Sequence, residues 1–515
     1  MNLTKALKII PRLSLISKIS RKKNIDVWLV GGFLRDVCLN RNKEFFDFDF
    51  CVDDGILPFV KEFAQKTRSR FITLDKAHGS YRVIIKTKGK ILSYDFTLMR
   101  GDDFSQDLIR RDFTINTLAV NISSVKPVLI DEFNACRDLA GKTIRVVADN
   151  SFSDDPLRIL RGFSIMVNYG FRIEKRTLGL MARARQLIEN VSGERIGEEL
   201  FKIFAAPCSL SAIKIMEKLS ILDEVIPHIA EARGVTQEGG YHHLDVLAHS
   251  LEALRQFELL YRRRFNRCGD FLNYLAEEPA QNRKLSQIIK LACLLHDIGK
   301  PAAKANKDGK TIFYGHEKIG REMAEEVAER LRLSSREREI LKKLIFWHMR
   351  PGFLADQKKP TLRAVYRFFR DTGEDGVAVI LLSLSDWRAT RGPKTDSKKR
   401  KRHERIMLDL AQGYFDAKKT KPVIKIIDGY DIMKKFGLKP SRLVGIILTK
   451  IKEEQALGKV TTKQDAYRIA ESLVRRQGKR DERIVSECQS VREKPKDVGR
   501  LRQQPLGRKD RRARA

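Results

Sequence analysis

Long apolar runs are missing from this chain. No stretch of about 18 apolar residues occurs anywhere in its 515 residues, so no helix is expected to cross a membrane. Cysteine is scarce and scattered. The seven cysteines (Cys38, Cys51, Cys136, Cys208, Cys268, Cys293 and Cys488) are odd in number and never spaced as CxxC, which argues against a disulfide framework or a zinc knuckle and fits a reducing cytosol. Acidic residues are outnumbered, 66 against 101 lysines and arginines, leaving a net charge of +35. A basic tail contributes Arg500, Arg502, Arg508, Lys509, Arg511, Arg512 and Arg514, but most of the excess lies elsewhere. Such a surplus suits a polyanionic partner, most simply nucleic acid. Nothing calls for a membrane or an obligate protein partner, and there is no internal repeat.

No acid precedes Asp26, while Lys5, Lys8, Arg12, Lys18 and Arg21 do. That charge pattern imitates a targeting leader. Leu7, Ile10, Leu13, Leu15, Ile16 and Ile19 nevertheless recur at helical spacing and run into the first strand, which predicts a structural helix and a cytoplasmic protein. With 42% hydrophobic residues, the chain is long enough for about two to four domains.

The beginning reads as mixed α/β. "DVWLVGG" is a strand entering a glycine turn, "FLRDVCL" a helix start, "FFDFDFCV" a second strand, and "YRVIIKTKGKILSYDFTLM" a hairpin turning at Gly89. From Asp154 onward the pattern is almost wholly helical. Leu157, Leu160, Phe163 and Met166/Val167 share one face, with Pro156 fitting a first turn behind an Asp cap. A histidine-marked helical block follows from about 230 to 392, and the charged stretch 391–405 reads as a linker or exposed helix start. His242-His243 read as a helix start. Beyond Gln477 the composition predicts disorder.

Gly31 and Gly32 let backbone approach a phosphate, the following helix N-terminus favours an anion, and Arg35 adds positive charge. Asp47 and Asp49 alternate on a strand, so both carboxylates face one side, where their repulsion calls for a cation. Divalent ions held by oxygen ligands clamp the attacking and leaving oxygens in nucleotide transfer. Asp95, on its own strand, is the best third carboxylate; Asp75 looks like a loop residue, and Asp53-Asp54 a turn. "RRDFTINTLAV" reads as opening a helix, with Arg111 for phosphate and Asp112 and Asn116 on one face. Asp155, Arg158 and Arg161 lie one turn apart and can offer acceptor and donor edges to a base; an ordinary intrahelical ion pair is the competing explanation.

Taken in order, "LVGGFLRD…DFDF…RRDFTINTLAV…DDPLRILRGF…ERIGEELFKIF" resembles the class II CCA-adding enzymes and bacterial poly(A) polymerases over residues 1 to about 228. The resemblance implies an α+β architecture. A polymerase-β-like mixed-sheet nucleotidyltransferase head (1–145) is expected, followed by an all-α neck with the nucleobase-selection site (146–228). It also implies that Gly31, Gly32 and Arg35 bind triphosphate, Asp47 and Asp49 bind Mg2+, Arg111, Asp112 and Asn116 bind nucleotide, and Asp155, Arg158 and Arg161 choose the base. Many relatives have Glu-Asp where this chain has Asp154-Asp155. "ERIGEELFKIF" looks like the motif bracing the neck, which makes Arg195 and Glu198 structural. The implied substrates are CTP, ATP and the 3′ end of tRNA, with CCA, A-only, CC-only and poly(A) addition as alternatives. No arginine-rich segment precedes "LVGG", which disfavours the last.

His249, His296-Asp297, His316, His348 and Asp386 supply imidazoles and carboxylates of the kind that hydrolytic transition-metal sites use to activate water. Their order, with "HDIGK", resembles the HD phosphohydrolase superfamily over 229–395. The resemblance implies a divalent transition metal on His249, His296, Asp297 and Asp386, with His316 and His348 matching the extra histidines of binuclear members. A chain working mainly as a phosphohydrolase is the reading from another class, and an RNA-binding protein with a relic head a third. Residues 396–475 look like the C-terminal RNA-binding module of bacterial members, and 476–515 a basic tail.

Overall fold

The computed structural model describes residues 3–41, 47–87, 89–237, 244–280, 282–357, 359–391, 396–419 and 425–492. His242 and His243 lie outside them. Two compact units emerge, one of residues 1–359 with 372–415, the other of 360–371 with 416–515.

The first unit opens on a seven-stranded mixed sheet, ordered β3-β4-β5-β2-β1-β6-β7. Its strands are β1 (Val27–Val30), β2 (Asp47–Val52), β3 (Arg70–Asp75), β4 (Ser80–Thr87), β5 (Lys90–Leu98), β6 (Ala119–Asn121) and β7 (Leu129–Ile130). β4 and β5 form the hairpin expected at Gly89, whose φ of 77° suits a residue without Cβ. β2 and β5 run parallel, and β1 is antiparallel to β2. Strict alternation on β2 buries Phe48 and Phe50 and leaves Asp47 and Asp49 on the other face. On the buried face Phe50, Phe59, Phe63, Tyr94 and Phe96 form an aromatic cluster beneath the Ile56–Lys66 helix.

The amino-terminal apolar pattern does fold as helix, in two pieces. Leu3–Lys8 and Leu13–Lys23 are separated around Pro11, whose carbonyl accepts the Tyr94 hydroxyl at 2.7 Å. Ile10, Ile16 and Ile19 are buried.

"RRDFTINTLAV" departs from the helix expected of it. Thr114–Asn116 make a single 3-10 turn and the chain then enters β6. The Thr114 amide bonds Arg145 O, Phe113 bridges Val146, and the Thr117 hydroxyl caps Thr114 O. β-Branched Val120 suits the strand that follows the turn.

Helices follow. Arg158–Tyr169 ends on Gly170 (φ 68°), and Gly193–Ala205 crosses beside it. Val246–Arg263, Leu285–Leu295, His316–Arg330, Ser335–Trp347 and Gly376–Ala389 then carry the histidine block. Of the two readings of 391–405, linker or exposed helix start, the second matches helix Ser397–Lys419, which is anchored by buried His403 stacked on Trp387 at 4.0 Å.

The second unit has its own core of Ile427, Ile432, Val444, Ile447, Ile451 and Val460. Within it Arg367 binds Glu453 at 3.0 Å and Arg363 binds Glu454 at 2.6 Å. Its last helix runs Lys463–Arg492, so helix continues past the point where disorder was expected. The segment to Arg492 is rich in Arg, Lys, Glu and Gln, all good helix formers, which composition alone disguised as a charged tail. Residues 493–515 lie outside the described ones.

Candidate functional site

Gly31 ends β1 with φ 79°, and a Cβ there would stand 3.0 Å from Asp49 Oδ2. The turn therefore excludes side chains on both conformational and steric grounds. Across the sheet, Asp49 lies directly opposite Asp95, and Asp47 opposite Ser93. All three aspartates line one cavity of about 720 Å³ with Arg35, Arg41, Arg82, Arg161, Tyr169 and Glu199.

The carboxylates differ in their surroundings. Asp49 opens on the cavity but sits deep among protein atoms. Desolvation and then the charges of Asp95 and Asp47 push its carboxyl upward against Arg111 and Arg161. Asp95 is gripped by Arg82 through bonds of 2.7 and 2.6 Å. An oxygen-rich, mutually repelling donor set on a rigid sheet fits a hard divalent cation such as Mg2+.

Beside them runs a polar chain. Arg35 donates to Asp36 at 3.0 Å, to Asn116 Oδ1 at 2.8 Å and to the Tyr169 hydroxyl. Asn116 donates to Asp112 at 2.9 Å, and Asp112 pairs with Arg161 at 2.9 Å. Burial raises the Asp112 carboxyl, but Arg161 and Asn116 outweigh it and hold it below the usual range. Arg111 is tethered to Asp107 at 3.0 Å, and among the described residues its buried Nε has no hydrogen-bond partner.

Asp155, Arg158 and Arg161 are not gathered at one place. Asp155 precedes the helix in extended conformation, and it lines a second cavity of about 1080 Å³ with Asp154, Arg158, Arg110 and Arg195. Arg161 faces the carboxylates instead. Arg158 donates to Ser151 Oγ at 2.7 Å and Arg110 O at 2.8 Å. Arg195, read from sequence as purely structural, pairs with Asp155 at 2.9 Å inside that cavity. Sequence reasoning also missed Arg41, Tyr169 and Glu199. Arg41 and Tyr169 carried no motif signal, whereas Glu199 sits within the bracing motif and could have been weighed.

The histidine block converges too. His249, His296 and Asp386 form one potential metal-holding triad, and Asp297, His316 and His348 another. Asp297 joins them, with one oxygen 3.2 Å from His296 Nε2 and the other 3.5 and 3.8 Å from His316 and His348. The Nδ1 atoms of His296, His316 and His348 are satisfied by backbone carbonyls at 3.0, 2.8 and 2.7 Å, which turns each Nε2 inward. Among the described residues the buried His296 Nε2 makes no well-aligned hydrogen bond, although Asp297 and Asp386 carboxylate oxygens lie 3.2 and 3.7 Å away. Burial resists charge on His296, yet Asp297 and Asp386 push it up to about 10. Burial and then the His296 charge push His348 down to about 4, leaving it a neutral imidazole. Inward nitrogens around buried carboxylates fit transition-metal ions.

A mixed sheet carrying paired aspartates beside a glycine turn and arginines, joined to a helical neck and a His/Asp centre, defines a template-independent nucleotidyltransferase with an HD domain. Comparison with known proteins agrees. Family models match the poly A polymerase head domain over 27–145, the probable RNA and SrmB-binding site of polymerase A over 170–233, and the HD domain over 246–391. The A-adding tRNA nucleotidyltransferase of Deinococcus radiodurans is 29% identical over 448 residues, covering 85% of this chain and 93% of its own. The CC-adding tRNA nucleotidyltransferase of Thermus thermophilus is 28% identical over 449 residues, covering 86% and 92%. The fold is shared with the Thermotoga maritima CCA-adding enzyme complexed with tRNA, at TM-score 0.61 and 21% identity over 93% of this chain and 99% of that one. This chain belongs to the class II CCA-adding and poly(A) polymerase family and is an enzyme of the template-independent tRNA nucleotidyltransferase type. Among the described residues no helix is long and apolar enough to cross a membrane.

Proposed function

We propose that the chain adds C and/or A residues of the CCA end to the 3′ terminus of tRNA, from CTP and ATP and without a nucleic-acid template. The observation carrying this reading is the convergence of Asp47, Asp49 and Asp95 on one cavity with Arg35 and Arg161. In each addition the tRNA 3′-oxygen bonds the α-phosphorus of the nucleotide, the bond to the β-phosphate oxygen breaks, and pyrophosphate leaves. Asp47 and Asp49 hold Mg2+, which supplies charge neutralisation at the phosphates. Asp95, in the same cavity, accepts the proton of the attacking 3′-hydroxyl, which requires its ion pair with Arg82 to loosen. Gly31, Gly32 and Arg35 cradle the triphosphate. Arg111, Asp112 and Asn116 fix the nucleotide, while Asp155 and Arg158 read the base, with Arg161 orienting Asp112.

The paired triads support a second, hydrolytic activity on phosphate esters at RNA ends. His249, His296 and Asp386, with Asp297 beside them, would hold a divalent transition metal there, and His316 and His348, which group with Asp297, would hold another. The basic surplus supports tRNA as the partner of both.

Relatives of 29% and 28% identity are named for A addition and for CC addition, so identity favours neither product. Incubating the protein with tRNA lacking its terminal nucleotides, with CTP and ATP separately and together, reads the product directly. Extension by C, C and A is expected. Extension by only one nucleotide type refines the assignment, a long A tail makes the enzyme a poly(A) polymerase, and no extension overturns the proposal.

A further inference from the structure

Tyr169 is the last residue of the neck helix Arg158–Tyr169, yet its ring lies in the head cavity. The Arg35 guanidinium stands 4.3 Å from the ring centroid and that of Arg41 4.0 Å. The Tyr169 hydroxyl donates to Asp36 Oδ1 at 2.7 Å and accepts from Arg35. Arg41 also donates to Asn168 O at 2.8 Å. One neck tyrosine thus holds two head arginines by its ring and one of them by its hydroxyl as well.

This matters because of what Arg35 would do otherwise. Asp47 and Asp49 share its cavity, and an unrestrained guanidinium next to carboxylates falls into a bidentate pair with them. Arg82 has done that with Asp95. Among the described residues Arg35 is instead bonded to Asp36, Asn116 and Tyr169 rather than to Asp47 or Asp49, and a guanidinium carries more N–H groups than these three acceptors use. The unused donors remain for phosphate oxygens.

We infer that Tyr169 is a positioning residue for the triphosphate: its hydroxyl and ring hold Arg35, and its ring holds Arg41, in the orientation that grips the β- and γ-phosphates. The inference rests on the reading of Arg35 as a triphosphate ligand. It also gives the neck a double role. Arg158, at the helix start, lines the base-reading cavity, and Tyr169, at the end of the same 12-residue helix about 16 Å away, sets the phosphate grip. Base and triphosphate are then sensed by one rigid rod.

The test uses the full chain with inorganic tripolyphosphate as a probe, titrated calorimetrically with Mg2+ present, alongside KM and kcat for CTP. Tyr169→Phe keeps the ring and its packing and removes only the hydroxyl. It is expected to weaken tripolyphosphate binding and raise the KM for CTP by about tenfold, leaving kcat within about twofold and tRNA binding unchanged. Arg35→Lys should weaken the probe similarly, and the double variant should be no worse than Arg35→Lys alone, since both act through one grip. Unchanged probe binding in Tyr169→Phe, with Arg35→Lys impaired, overturns the inference and leaves the site intact. Unchanged binding in Arg35→Lys overturns the triphosphate reading and the inference with it.

Discussion

Asp49 faces Asp95 across two parallel neighbouring strands, so two carboxylates are fixed side by side by backbone hydrogen bonds rather than by flexible side-chain choice. Asp47 adds a third on the same face of β2. Fixed like charges destabilise a fold unless something cationic binds them. Replacing Asp47 and Asp49 together by Ala should therefore leave the thermal midpoint unchanged or higher in the absence of divalent ions. Nucleotide incorporation into truncated tRNA should fall to the level seen without enzyme, with metal-dependent phosphatase activity within about twofold of wild type. Incorporation that persists in this variant, read on a denaturing gel, removes these residues from the reaction.

Arg195 separates a structural role from a specificity role. Its ion pair with Asp155 is half exposed, and pairs of that kind contribute about 0–1 kcal/mol to stability. Losing the guanidinium should barely move the melting temperature. It does release Asp155, whose other oxygen accepts the Leu157 amide at 3.2 Å, to swing within the cavity that it shares with Arg158, which we propose reads the base. Arg195→Ala should therefore shift the ratio of kcat/KM for CTP to that for ATP by about tenfold, in line with loss of a charged hydrogen bond. An unchanged ratio with a lowered melting temperature returns Arg195 to the bracing role that its motif suggests.

The sheet and its carboxylates were legible in the sequence because they rest on local signals. Alternation put Phe48 and Phe50 on one face of β2 and Asp47 and Asp49 on the other, and the glycines marked the turn. The histidine block was legible for a similar reason, with chemically rare residue types in a recognisable order. The course of residues 110–120 was not. Asp112 and Asn116 suggest a helix by spacing, while the contacts that decide for a 3-10 turn and a strand come from Arg145 and Val146 far along the chain. The separation of Arg161 from Asp155 was hidden for the same reason. Periodicity places them on neighbouring turns, but the chain is extended at Asp155, and Asp112 draws Arg161 to the other cavity. Tyr169 had no sequence signal, since its partners Asp36 and Arg41 belong to the head.

Two triads bridged by the Asp297 carboxylate should show up in metal content. His348→Ala removes a ligand from one triad only, so elemental analysis after loading with Mn2+ or Ni2+ should fall from about two ions per chain to about one. Asp297→Asn, which touches both triads, should lose both. His296→Ala should abolish phosphatase activity and leave CTP incorporation intact. Equal metal content in all three variants refutes the paired centre, and loss of CTP incorporation in His296→Ala refutes the separation of the two activities.

His228 supplies a pH-dependent tie between the neck and the HD helices. Its Nδ1 meets Glu231 at 2.9 Å and its Nε2 meets Glu326 at 2.8 Å. These hydrogen bonds raise its pKa above the ordinary value despite some burial. A raised pKa means that the folded protein binds the proton more tightly than the unfolded chain. The stabilisation is fully present below the unfolded value of about 6.5 and disappears as pH rises through the higher folded value. His228→Gln should thus lower the melting temperature by about one to three degrees at about pH 6, where the glutamates are still ionised. The gap should close by about pH 9. Because the glutamates are largely exposed, about 1 M salt should shrink the gap at the lower pH. A gap of equal size at both pH values would show that the variant loses packing or neutral hydrogen bonds, and that proton binding at His228 does not contribute to stability.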